Sequence, residues 1–217
     1  MGVRARRKDE LAPAEVAIVL QCAALLLGYP DEELLAALPM LTDAVAAVEP
    51  RAGAPLIEMA QHLTSTRLDT LQTNYVDTFD LRRRCCLYLT YFSHGDTRKR
   101  GMALLRFSHA YRAAGAEFLG GELPDHLAVV CEFAATVDPA AGLRLLMESR
   151  VGLELLRRAL VETDSAYVRV IVAICAVLPA ATQRELDKAV ELARTGPPDE
   201  EVGLEPYGPP ESMGGRR

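Results

Sequence analysis

The chain has 217 residues, half of them apolar, with aromatics at only 6% and no Trp. At roughly 100–200 residues per domain that is one large helical domain or two small ones, and the Ala-, Leu- and Val-rich composition excludes a disordered chain and favours helices. Thirty acidic against 24 basic side chains leave a net charge of −6, which argues against generic binding to a phosphate backbone, and no apolar run approaches the length that spans a bilayer.

Residues 1–12 read as a flexible basic N-terminus carrying Arg4, Arg6, Arg7 and Lys8. Asp9, Glu10 and Pro13 intervene before any apolar stretch, so no secretory leader and a cytoplasmic chain are expected. The cysteines agree: Cys22, Cys85, Cys86, Cys131 and Cys175 are odd in number, form no C-x-x-C and lie in apolar runs, where a reduced Cys behaves as a small hydrophobe. A redox role for the adjacent Cys85 and Cys86 stays open.

Apolar residues then recur with a period near 3.6, and no clean alternation of period two appears. Pro13 opens a helix that Gly28 ends, and Asp31 caps a second, which Pro39 breaks or kinks before a further turn to Val48. Pro50 and Gly53 mark residues 49–54 as a loop. A long helix is expected over 55–78, a further segment over 81–92, and a helix from an Asp96-Thr97 cap to Gly115. Asp125 caps the next, to Thr136, and four more follow over 139–148, 151–161, 165–178 and 180–194. Residues 195–217 hold five prolines and five glycines and read as a disordered tail. The reading is one all-α bundle of about nine helices over residues 13–194.

Catalytic arrangements are missing from the pattern. His62, His94, His109 and His126 form no H-E-x-x-H, and no G-x-S-x-G, P-loop or G-x-G-x-x-G occurs. These absences do not exclude catalysis, yet nothing in the residues invites an enzyme, cofactor or metal reading; His94 beside Asp96 is more simply a turn histidine than a metal ligand. The unusual stretch is 75–125. It holds the run Arg82, Arg83 and Arg84, whose simple account is a solvated face, and then Arg98, Lys99 and Arg100 in the first turn of a helix, where the dipole already presents about half a positive charge. Ion pairing with Asp77, Asp80 and Asp96 and contact with a ligand both fit. In the same helix Leu104, Phe107, Tyr111 and Ala114 form the core stripe, and Met102 and Leu105, set among Arg98, Arg106, His109 and Arg112, are expected to pack inward.

Six motifs follow in order: Tyr75-Val76-Asp77-Thr78-Phe79-Asp80, Leu87-Tyr88-Leu89-Thr90, Gly95-Asp96-Thr97-Arg98-Lys99-Arg100-Gly101, Tyr111-Arg112-Ala113-Ala114-Gly115, Glu122-Leu123-Pro124-Asp125-His126-Leu127 and Glu132-Phe133. Together they closely resemble the nitrate reductase molybdenum-cofactor assembly chaperones, the NarJ-type members of the NarJ/TorD group of redox-enzyme chaperones. His94 and Cys86 depart mildly from that pattern. The resemblance implies a TorD/NarJ-like helical fold and a system-specific, non-catalytic chaperone. Such a protein binds the N-terminal segment of the nitrate reductase catalytic (alpha) subunit in the cytosol and keeps it competent for molybdenum-cofactor insertion before membrane docking. The cofactor-insertion machinery is a further candidate partner; nucleic acid and stable membrane association are not expected.

A groove for an amphipathic peptide needs apolar pockets at helical spacing and a charged rim. The candidate client-binding residues are Tyr75, Phe79, Asp80, Tyr88, Tyr91, Asp96, Arg98, Arg100, Tyr111, Glu122 and Asp125. The alternative, from a different class, is an acidic helical adaptor or regulator with an anion- or nucleotide-binding turn at 95–101.

Overall fold

The computed structural model describes residues 11–95, 97–117 and 121–196. Among them are eleven α-helices and no strand: α1 Pro13–Leu26, α2 Glu32–Ala46, α3 Pro50–Ser65, α4 Leu68–Tyr75, α5 Tyr91–His94, α6 Arg98–Ala113, α7 Leu127–Thr136, α8 Pro139–Glu148, α9 Arg150–Glu162, α10 Val168–Val177 and α11 Gln183–Thr195. The fold is all-α, as expected, with more and shorter helices than the periodicity suggests. None of the described helices is long and apolar enough to cross a membrane.

The place of each helix follows from how much of its circumference is apolar. α1, α7 and α10 are apolar on nearly every side and form the centre: α1 packs against α7 and α10, and α10 packs on α3. Leu20, Leu127, Val130, Ile171 and Ile174 are fully buried there. α11 is amphipathic and lies outside, resting on α9 and fully burying only Ala189 of its own residues; α9 beneath it is exposed only at its end, Val161 and Glu162. Leu11 packs on this core, and Thr195 is the last residue of α11, so the helical body takes in both. Apart from these positions and Ala12 and Gly196, the expected N-terminal and tail segments lie outside the described residues.

Four local expectations are corrected. Residues 50–54 are the first turns of α3, not a loop: Pro50 stands at the N-terminus, where its missing N–H costs nothing, and Gly53 is a contact rather than a break. A Cβ on Gly53 would sit 2.7 Å from the Val45 carbonyl oxygen, so this glycine lets α3 close on α2. Pro39 does not break α2, which continues from Glu32 to Ala46. The helix expected over 55–78 is divided at Thr66 and Arg67, both extended. There the hydroxyls of Thr64, Ser65 and Thr66 donate back to the carbonyls of Ala60 and His62 and compete with the helical ladder. On α6, Phe107 and Tyr111 are buried as expected, but Met102 is 71% exposed and Leu105 also faces outward.

Candidate functional site

A groove of about 470 Å³ opens between the end of α1, the turn after α4, the segment around Leu87 and Tyr88, and the start of α7. α4 passes directly into a wide π-helical turn, Val76–Asp80, and the i,i+4 pair Tyr75 and Phe79 meets edge to face with centroids 4.9 Å apart. Tyr167 stands against both rings at 5.8 and 4.8 Å, and Tyr29 against Tyr75 at 5.4 Å. Edge-to-face rings at these distances attract beyond their burial. The Tyr75 hydroxyl donates to the Leu27 carbonyl at 3.0 Å and fixes the cluster to the end of α1. Tyr29, 51% exposed, and Leu25 leave apolar surface open beside it.

The charge lining this groove has one sign. Asp80, Glu122 and Glu132 line it, and no Lys or Arg does among the described residues. The Tyr88 hydroxyl donates to Glu122 at 2.9 Å; desolvation, with Glu122 beside it, pushes the phenol up to about 12, so it stays a donor at neutral pH. The His126 ring stands edge-on to Tyr88 at 5.4 Å. Burial lowers its pKa against the opposing pull of Glu122 and Asp125, which keeps the imidazole neutral at pH 7. His126 Nδ1 and Gln21 Oε1 are buried in the wall of the groove and have no hydrogen-bond partner among the described residues.

Behind the groove a polar clamp holds its lining loops. Asp125, fully buried, accepts the Thr90 amide at 3.0 Å and the Thr90 hydroxyl at 2.6 Å through Oδ2. The backbones join on both sides of it: the Leu89 amide donates to the Asp125 carbonyl, the Leu127 amide to the Leu87 carbonyl, and Tyr88 bridges to His126. Arg100 Nε donates to Thr90 Oγ1 at 3.2 Å, with its guanidinium 5.4 Å from the Tyr88 ring centroid and 6.0 Å from that of Tyr91. The Tyr111 hydroxyl donates to the Pro124 carbonyl. Asp125 is therefore not the cap of α7; the N-cap is His126, and the Asp125 carboxylate is turned toward Thr90.

Of the residues expected to contact a client, Tyr75, Phe79, Asp80, Tyr88 and Glu122 line this groove. Arg100, Tyr111 and Asp125 belong to the clamp behind it and not to its lining. Tyr91 lines a different groove, Arg98 is exposed in the first turn of α6, and Asp96 lies outside the described residues. Within the expected anion-binding turn at 95–101, the Arg100 guanidinium faces Thr90 and two tyrosine rings. Gln21, Tyr29, His126 and Glu132 line the acidic groove without having been expected there. The available signal was Tyr29 directly after the helix-ending Gly28, a large aromatic at a helix exit in a chain with few aromatics. All five cysteines are free thiols; burial pushes Cys22 and Cys175 up to about 11, leaving little thiolate.

Residues 45–173 match the family model described as the nitrate reductase delta subunit. The chain belongs to this family. It is the one that the motifs between residues 75 and 133 indicated, and the groove residues from Tyr75 to Glu132 fall inside the matched region. The "Nitrate reductase-like protein NarX" of Mycobacterium tuberculosis is 44% identical over 158 residues, 73% of this chain but 24% of that protein, so the chain spans about a quarter of that relative's length. The "Probable nitrate reductase molybdenum cofactor assembly chaperone NarJ" of Bacillus subtilis is 31% identical over 172 residues, covering 77% of this chain and 92% of its own. Among solved structures, a candidate redox enzyme maturation protein from Archaeoglobus fulgidus matches with a TM-score of 0.56 and 26% identity, over 73% of this chain and 90% of that one.

Proposed function

We propose that this member of the family is a non-catalytic, system-specific chaperone of a nitrate reductase. In this reading it works in the cytoplasm, takes the N-terminal segment of the catalytic subunit in the acidic groove, and keeps that subunit competent for molybdenum-cofactor insertion before it docks at the membrane. The observation that carries the reading is the lining among the described residues: three carboxylates and no cation, an aromatic floor from Tyr75 and Phe79, and polar atoms on Gln21 and His126 without a partner among those residues. Carboxylates on the rim attract basic residues and set the encounter rate, while the floor accepts apolar side chains at helical spacing. The two orphan atoms are buried polar groups that a peptide backbone could satisfy.

A synthetic peptide of the catalytic subunit's N-terminus, titrated into the full chain by calorimetry, tests this. Glu122→Gln with Glu132→Gln should weaken binding about tenfold, equivalent to about 1.4 kcal/mol, with the helical circular dichroism retained. Raising the salt should weaken the unaltered protein and leave the double variant less affected. Unchanged affinity in the double variant would place the peptide elsewhere.

A further inference from the structure

A second groove, of about 330 Å³, has the opposite charge. It lies between the single 3-10 turn Arg83–Cys85, α5, α9 and the last turn of α11. Arg83, Arg84, Arg158 and Arg194 line it. Glu162 is the one carboxylate among its described lining residues, 3.9 Å from Arg84. Phe92, Leu155 and Leu192 give it an apolar floor. In a chain of net charge −6, four guanidiniums around one carboxylate form a local reversal of sign, and the client groove makes no use of the Arg83–Arg84 pair.

Gly196 itself lines this groove, so the chain leaves the helical body from inside it. The residues that follow are Pro197-Pro198-Asp199-Glu200-Glu201-Val202-Gly203-Leu204-Glu205-Pro206-Tyr207. Four carboxylates are thus interleaved with Val202, Leu204 and Tyr207, which complements both the basic rim and the apolar floor.

We propose that this groove is the docking surface for the chain's own acidic segment, residues 199–207. An extended chain advances at most about 3.3–3.6 Å per residue, so Asp199 reaches about 10 Å from Gly196, and the segment can lie along the groove without doubling back. The tether also supplies the affinity. A short linker gives an effective concentration in the millimolar range, so an intrinsic dissociation constant of about 1 mM fills the groove half of the time. Single exposed ion pairs add little, but several arginines that can each grip a carboxylate bidentately, around a floor that excludes water, add more together than one. The register follows from the dipole of α11, whose C-terminal carbonyls are its negative end. The uncharged Pro197-Pro198 passes there, and the carboxylates seat on the side of Arg83, Arg84 and Arg158. In place, the segment screens these guanidiniums from acidic partners.

The proposal does not rest on the client reading, and its test contains no client. Because the chain has no Trp, Tyr207→Trp places a single indole in the segment of the otherwise unaltered full chain. At low salt, acrylamide should quench that indole at least about twofold less than at about 0.5 M salt, where the charges are screened. Arg83→Glu with Arg158→Glu should abolish the shielding, and adding Glu200→Arg with Glu201→Arg to that chain should restore it, with circular dichroism showing each chain folded. An indole fully quenched at low salt overturns the proposal. So does shielding that survives the groove reversal, or a reversal that the second pair fails to rescue. Shielding that fades on dilution overturns it as well, because the occupant is then a second copy's segment.

Discussion

Asp125 joins two of the segments that line the groove, although its own side chain does not line it. Its Oδ2 takes two donors from Thr90, one of them a backbone amide, in a site closed to solvent. Asp125→Ala leaves both donors without that acceptor and should cost about 2–4 kcal/mol, read as a fall of roughly 5–10 °C in Tm for a chain of this size. Asp125→Asn keeps an acceptor oxygen and should lose about half as much. If the alanine variant melts with the parent, the clamp is not what holds the loops. The residue was singled out in the sequence but in the wrong capacity, because an aspartate before an apolar helix looks the same whether it caps that helix or turns to a threonine 35 residues away. His126 gives a second expectation. Burial lowers the pKa of His126, and burial followed by the charge of Arg169 lowers that of His62, both from an ordinary 6.5. The folded state then binds fewer protons than the unfolded one, so stability is complete above about pH 6.5 and is lost as the pH falls through the folded values. Tm should therefore drop between about pH 7 and pH 5, and the slope should be shallower in His62→Gln with His126→Gln. An equal slope would mean that other groups drive the loss.

At the scale of helices, legibility depended on where the deciding contact lies. α8 is found over the residues read from the sequence, because Asp138 caps it through the Ala141 amide at 2.9 Å and Pro139 opens it, and both signals are local. The segment 81–92 was not legible as structure. Its middle, Leu87 to Thr90, is held by hydrogen bonds with Asp125 and Leu127, remote in sequence, and its 3-10 turn packs on α9. Glycines, too, are decided by remote contacts. Gly142 lies inside α8, where propensity alone disfavours it, yet a Cβ there would run into the Cα and Cβ of Ala134 on α7. Gly142→Ala should thus gain helix propensity and still destabilise, by about 1–3 kcal/mol, because neither backbone can yield without opening the α7–α8 contact. Chemical denaturation measures it. A neutral or stabilising result would show that the two helices can separate freely.

A net charge of −6 favours encounter with a basic partner but does not say where it would bind, since charge on a folded surface is set by which elements meet. The fold gathers Asp80, Glu122 and Glu132, distant in sequence, around one groove, and Arg83, Arg158 and Arg194 around another. Only the nearest members of each set, such as Arg83 and Arg84, were adjacent enough to be noticed as a run. The proposed docking of residues 199–207 also fixes what the end of the chain contributes to stability. A segment that fills its groove about half of the time has an equilibrium constant near one, and linkage then gives RT ln 2, about 0.4 kcal/mol. At roughly 2–4 °C per kcal/mol for a chain of this size, ending the chain after Gly196 should lower Tm by about 1–2 °C. The same truncation should leave the affinity for a basic client peptide unchanged, because the acidic groove is lined from α1, the loops and α7 and not from α11. Differential scanning calorimetry at low and high salt separates the cases. A small shift that vanishes with salt is the signature of a docked acidic segment. A loss above about 5 °C that persists in high salt would mean that residues beyond Gly196 pack as part of the hydrophobic body, since apolar burial is not screened.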